Sequence, residues 1–310
     1  MMGMVSKVRS AARWMGFSLA VAATLTPALA LAAGPADLYF ERSVMTAADH
    51  RCRLFTPALG SALAASAAQA RGAALRAGVD PGQLAQVKTR AEATAYSQAC
   101  NSTDIATAAG RVRTAFDGYS RLLRQDYPGA IAGWMAQRAA SQSSQVWNLS
   151  QKAAFGRDSL TFGLAGEGGQ VALTGVTRFA DGATPYAARL VIRDQSRAPR
   201  AYLDVRQGAV ATLPLAARVA PRNLTLAWFA EGRTPADLLL VSQDGKTSPQ
   251  GYTAWRFPTT AAAAMAELDP REAIQVEFLF NGPAGDVVRT AYVEVGDFAA
   301  GRAFLNLAQR

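Results

Sequence analysis

The sequence predicts an α+β protein: an N-terminal antiparallel helical bundle, followed by an antiparallel β-sandwich-like domain that ends on a C-terminal helix. Three observations predict it. From Pro35 to about Phe155 the chain is Ala-rich and poor in β-branched residues, the composition of helices. After Phe155 it breaks into short runs punctuated by Gly, Pro, Asp and Asn, the pattern of an antiparallel sheet or sandwich. The charge balance changes at the same place. Residues 34–157 carry fourteen basic and eight acidic side chains, whereas residues 158–310 carry fifteen of each. The expected division is a signal peptide over 1–33, a helical bundle domain over 34–157 and a β-rich domain over 158–310.

The leader has a basic start in Lys7, Arg9 and Arg13, with no acidic residue. An uncharged run from Trp14 to Ala33 follows, broken by Pro27 and closed by ALALAA, whose small residues suit signal peptidase. A retained membrane anchor is the rival reading, because the run is nearly long enough to span a bilayer. Cleavage at Ala33 would leave 277 residues in the periplasm or the secreted fraction, with no transmembrane segment expected after it. Arg outnumbers Lys by 28 to 4. Arg is the better fork for phosphate, but GC-rich coding also favours it.

In the helical half, Pro57–Ala77 and Gln83–Ala99 are expected helices separated by GVDPGQ. A third begins after CNSTD, with Ser102 or Thr103 as cap and Asp104 at its positive end. Its apolar face runs through Ile105, Ala108, Ala109, Val112, Phe116, Tyr119, Leu122 and Leu123 to a stop at Tyr127–Gly129. Arg113, Asp117 and Arg121 form a charge ladder on its other side. A further helix is expected from about Ala130, carrying Trp134 and Trp147.

MTAADHRCRLF, residues 45–55, holds the single histidine and one of two cysteines. On a helix, Met45, Ala48, Cys52 and Phe55 share one apolar stripe facing the bundle, while His50 projects about 200° away from Cys52. Asp49 and Arg51 read as solvent-face neighbours of His50. The two side chains cannot share a metal on such a helix, and three Cys and His in total are too few for a closed zinc site. A disulfide between Cys52 and Cys100 is expected of an exported chain, closing a loop that stabilises by about 4 kcal/mol. His50 reads as an ordinary surface residue.

The strand half contains SLTFGLAG, GQVALTGV, YAARLVIR, RAYLDVR, NLTLAWF, ADLLLVS, YTAWRF, IQVEFLF and VVRTAYVEV as expected strands. Ile274, Val276, Phe278 and Phe280 alternate with Gln275 and Glu277, and NGPAGD turns this strand into an antiparallel partner. TTAAAAMAELD and DFAAGRAFLNLAQ are the expected helices of this half, with Asp297 as a cap for the second. The order YTAWRF, Ala-rich helix, DPREAIQVEFLF, AYVEV and GDFAAGRAFL resembles the C-terminal layout of the invasion-associated locus B family of exported proteobacterial proteins. The match rests on Gly296, Phe298, Ala299, Ala300 and Ala303, with Asp297 intervening between Gly and Phe. It covers about sixty residues, and the family's own sandwich cysteines are missing here. The resemblance implies a β-sandwich in the cell envelope without catalytic residues.

Motifs for other chemistries fail on inspection. DGKT, Asp244–Thr247, lacks the P-loop glycine, since Leu240 stands there, and SPQGY follows it instead of a helix. GEGG, Gly166–Gly169, precedes a strand and offers no helix dipole to a phosphate. No G-x-S-x-G elbow is present, and a Ser-His-Asp triad would have to use His50. No cofactor or metal is implied, and no nucleic-acid recognition motif is visible. Trp228, Tyr252, Trp255 and Phe257 are candidates to line a groove for glycan or peptide, against the commoner role of strand aromatics as core. Glu267, Asp269 and Glu272 are candidates for paired carboxylates, against a solvated connector. The leading functional expectation is a non-catalytic binding or assembly module of the bacterial envelope, contacting an envelope protein or an anionic component through the +6 of residues 34–157. The alternative is an envelope hydrolase using carboxylates of the β-rich half.

Overall fold

The computed structural model describes residues 34–140, 145–167, 170–203, 210–235 and 251–306. The expected leader, ADLLLVS and DGKT lie outside them, as does the end of RAYLDVR; Arg200–Leu203 carry no strand. The architecture is α+β with antiparallel sheets: helices first, then a β-rich region and a C-terminal helix.

Four helices open the fold: α1 (Pro35–Cys52), α2 (Pro57–Arg76), α3 (Pro81–Ser97) and α4 (Thr103–Phe116). Proline at the first turn of α1, α2 and α3 fixes φ where no intrahelical N–H bond is lost. The Thr56, Asp80 and Ser102 side chains accept from the first free N–H groups of α2, α3 and α4. α1 packs on both α2 and α3, burying Tyr39 with Ala70, Ala74, Leu75, Leu84 and Val87. The many alanines let these helices approach closely.

α4 stops at Phe116, eleven residues before the expected stop, and a 3-10 turn at Tyr119–Arg121 replaces its last turns. Leu122 and Leu123 are consequently exposed. The expected helix from Ala130 is instead a pair of strands. β1 (Arg124–Tyr127), β2 (Trp134–Ala140) and β3 (Gln145–Phe155) pair antiparallel and continue into β4 (Asp158–Glu167) and β5 (Gln170–Arg178). Trp134, Ala136 and Arg138 are buried at spacing two, the period of a strand. The expected boundary at residue 157 falls in the turn of the β3–β4 hairpin, whose strands pair from Val146↔Glu167 to Phe155↔Asp158. A domain cannot end there without dividing a sheet, and the described residues belong to one compact unit.

The remaining elements are β6 (Ala187–Arg193), β7 (Thr225–Phe229), β8 (Gly232–Pro235), β9 (Thr253–Phe257), α5 (Thr259–Ala266), β10 (Ala273–Gly282), β11 (Gly285–Glu294) and α6 (Phe298–Asn306). One sheet has the order β1-β2-β3-β4-β5-β9-β8 and the other β11-β10-β6-β7. Leu149, Phe162, Leu173 and Phe257 of the first meet Leu190, Ile192, Val276 and Phe278 of the second in a single core. α6 continues that core over β1, β2 and β3 with Phe298, Phe304 and Leu305, and α2 packs against α6. The 3-10 turn Leu215–Arg218 lies against β10 and β11.

Candidate functional site

The far end of the helices carries the disulfide. Cys52 ends α1 and Cys100 follows α3, with Cα atoms 5.6 Å apart and the sulfurs joined. Cys52 is half-buried and Cys100 exposed, so the bridge sits at the rim of the bundle and not in its interior as the apolar stripe implied. Met45 and Ala48, earlier on that stripe, do face inward. Arg51 is no solvated neighbour. It donates 2.7 Å to the Tyr96 carbonyl, also to the Gln98 carbonyl, and stands 5.6 Å from the Tyr96 ring centre. These carbonyls end α3, where a cation meets the negative end of the helix dipole. Asp49 accepts from the Phe55 N–H at 2.9 Å and fixes the α1–α2 turn. His50, between Asp49 and Arg51, is exposed. No group of three or more His, Cys, Asp and Glu suited to a metal ion occurs among the described residues.

The four aromatic candidates do not form a groove. Trp255 and Phe257 are only 2% and 1% exposed and belong to the shared core, where the Trp255 indole N–H donates 3.2 Å to Thr177 Oγ1. Trp228, half-buried on β7, also packs on that core, from the other sheet. Tyr252 is half-buried beside Val176 and Ala254 on the opposite face of β5 and β9. Alternation explains the separation: Trp255 and Phe257 point inward, so Tyr252 and Ala254 lie with Arg256 on the reverse side.

The carboxylates at the helix-to-strand turn are neither a solvated connector nor a free pair. Glu267 is exposed, but Asp269 and Glu272 are buried. Asp269 receives Arg271 at 2.9 and 2.8 Å. Glu272 receives Arg193 at 2.7 and 2.8 Å and the Asp269 N–H at 3.0 Å. Burial pushes the Glu272 carboxyl up from its ordinary value, and Arg193 offsets part of that rise. All seven buried carboxylates among the described residues are engaged by an Arg, by backbone N–H groups or by both. Glu277 lies between Arg189 at 2.6 Å and Arg222 at 2.7 Å. Glu294 accepts from the Ala130, Ile131 and Ala132 N–H groups at 2.6, 2.8 and 2.7 Å, with the fully buried Arg218 at 3.7 Å. The Asp269–Arg271 and Asp194–Arg197 pairs are local, but the partners of Asp158, Glu272, Glu277, Glu294 and Asp297 include groups on distant strands, helices or loops, which no local pattern reveals. Glu277 occupies the expected polar face of its strand, but Arg189 pairs directly opposite it and the site is closed.

A second polar cluster joins the helices to the sheet. The Tyr119 and Tyr127 hydroxyls are 2.9 Å apart, and burial drives the Tyr127 phenol well above its ordinary range. Arg138 donates to the carbonyls of Tyr119 and Leu122 and lies 3.8 Å over the Phe304 ring. Such tyrosines stay protonated at working pH and act as packing and hydrogen-bonding groups.

The exposed cations differ in kind. Lys152, Arg178 and Arg256 stand on the outer face of the seven-stranded sheet, and no carboxylate among the described residues pairs with them. Sequence reading missed this group, because Lys152 was placed in the helical half. No helix among the described residues is long and apolar enough to cross a membrane. Compared with protein-family models, with curated proteins and with solved structures, the chain matches none.

Proposed function

We propose that this chain is an exported protein of the bacterial envelope that acts as a non-catalytic binding or assembly module, with an anionic envelope component as partner. The observation that carries the reading is the division of charge. Buried carboxylates are engaged inside the fold, while cations are left facing solvent. A carboxylate held in a bidentate Arg pair is a poor general acid or base, because proton transfer would strand a buried charge. The half-exposed Cys52–Cys100 bridge supports an oxidising compartment, since such a bond is accessible to cytosolic reductants. The basic, apolar leader supports export by the same logic. The resemblance to the invasion-associated locus B family points the same way.

Charge placement refines the sequence expectation. Of the excess in residues 34–157, half belongs to the strands and the turns between them. Residues 34–123 hold ten basic and seven acidic side chains, and residues 124–157 four and one. Several helix cations are also occupied, as Arg42 with the Ser66 carbonyl and Arg113 with the Leu54 carbonyl. The test is fractionation of cells producing the full chain, with thiol alkylation before lysis, followed by cross-linked recovery from envelopes. The expected result is a shortened, oxidised protein in the envelope fraction, cross-linked to an envelope component. A full-length chain with both thiols alkylated in the cytoplasm would overturn the reading.

A further inference from the structure

We infer that the outer face of the seven-stranded sheet is a docking surface for the phosphate headgroups of an anionic lipid bilayer. This rests on the envelope reading above and names the site and the chemistry of the partner.

The register places the cations. Lys152 on β3 is opposite Thr161 on β4, which is opposite Val176 on β5, which is opposite Ala254 on β9. Arg178 lies two residues along β5 from that row, and Arg256 two residues along β9 on its other side. At about 4.8 Å between strands and 3.3 Å per residue, the three backbone positions are about 12–16 Å apart. Arg157 adds a fourth exposed cation in the β3–β4 turn. Ser159, Thr161 and Thr174 occupy the same face between them, over a floor of buried Val176 and Ala254. The cations thus stand on a plane of small residues and hydroxyls rather than around a pocket. A plane of separated charges is complementary to many phosphates in a surface, not to one anion in a cleft.

The acidic surroundings do not cancel this charge. Glu231 precedes β8, and alternation from Gly232, opposite Arg256, turns it toward the other face. Glu167 is four residues along β4 from Gly163, whose row runs through Thr174 to Arg256, so its backbone is about 16 Å from that of Arg256. Asp126, two strands from β3 on the same face, is paired with Arg124 at 3.3 Å. Asp158 and Asp181 are engaged by Arg289. Tyr252 lies at the rim with Arg178 5.9 Å from its ring centre, a residue type suited to headgroup depth.

The test uses the oxidised chain recovered from the envelope, sedimented with vesicles of phosphatidylcholine alone or with 30% phosphatidylglycerol (roughly the anionic content that gives a strong surface potential). Binding is expected only to the anionic vesicles and to weaken with salt over the Debye range. The triple variant K152Q/R178Q/R256Q is expected to bind about 100-fold more weakly, since each cation near such a surface contributes about fivefold. A helix-face control, K88Q/R90Q/R111Q, is expected to lose less than tenfold. Circular dichroism and the intact disulfide report that both variants fold. Equal loss in the two sets, no binding to anionic vesicles, or retention on a polyanionic polysaccharide without vesicle binding would overturn the inference. If vesicles fail while cross-linking captures an envelope protein, the envelope reading stands and this surface assignment falls.

Discussion

Glu294 shows how one side chain closes a fold. It ends β11 with its carboxylate inside a loop, where three consecutive N–H groups donate to it. Its own backbone is clamped by Gln151, which accepts from its N–H at 2.8 Å and donates to its carbonyl at 3.2 Å. The Trp134 indole N–H donates 2.9 Å to the next carbonyl, Val295. Replacing Glu294 by Ala removes the acceptor for those amides and a carboxylate 3.7 Å from a fully buried guanidinium. We expect a loss of about 3 kcal/mol in urea unfolding, the usual cost of breaking a buried charged contact from one side, and a smaller loss for Glu294→Gln. Gly301, inside α6, gives a second residue-scale prediction. A methyl group there would stand 2.4 Å from Leu149 Cδ1, and Leu149 is fully buried. Gly301→Ala should therefore destabilise by about 1–3 kcal/mol despite the better helix propensity of Ala, and Leu149→Val in the same chain should recover part of that loss.

At the scale of elements, the disulfide decides how firmly α1 and α3 stay together at their rim. The bridge spans 48 residues, and the chain-entropy account gives about 4 kcal/mol for a loop of that size. Because Cys100 is exposed, a mild thiol reductant should open the bond in the folded protein without denaturant, and the midpoint of thermal unfolding should fall on reduction. Cys52→Ser with Cys100→Ser should show the same lowered midpoint and no further response to reductant. The helices α1, α2 and α3 were legible because proline, caps and Ala-rich runs are local signals. The strands β4, β5, β9, β10 and β11 were legible because apolar residues alternate between turn residues. β2 was not, because its inward row Trp134-Ala136-Arg138 ends on a charge and its sequence is rich in helix formers. What makes it a strand is pairing with β1 and β3, information distributed over the chain. The candidate groove failed for a related reason: composition identified Trp255 and Phe257 as aromatic, but only the sheet-to-sheet packing shows which side of β9 is inside.

On the scale of the whole molecule, the helices and the sandwich are joined where α2 crosses α6. Arg76 of α2 reaches Asp297, at the start of α6, with contacts of 2.7 and 3.2 Å. A Cβ at Gly72 would stand 2.6 Å from Asp297 Oδ1, so the small residue lets the pair form at the crossing. Arg71 and Gly72 line a shallow cleft there, opposite Pro270, Val295 and Gly296, of about 260 Å³ counting its space open to solvent. Burial pushes the Asp297 carboxyl up from its ordinary value, and Arg76 opposes that rise. A carboxyl raised in the folded state gives its full stability below its unfolded pKa and loses it as pH rises through the folded value. Removing Arg76 widens that window, since nothing then offsets the burial of the charge. Arg76→Ala should therefore cost about 3 kcal/mol at pH 8, where Asp297 would be left charged and unpaired, and clearly less at pH 4, where it takes up a proton. Urea unfolding of both proteins from pH 4 to pH 8 checks the sign. The difference between them must grow with pH, and a difference that is flat or shrinks would mean that the pair does not carry the junction between helices and sandwich.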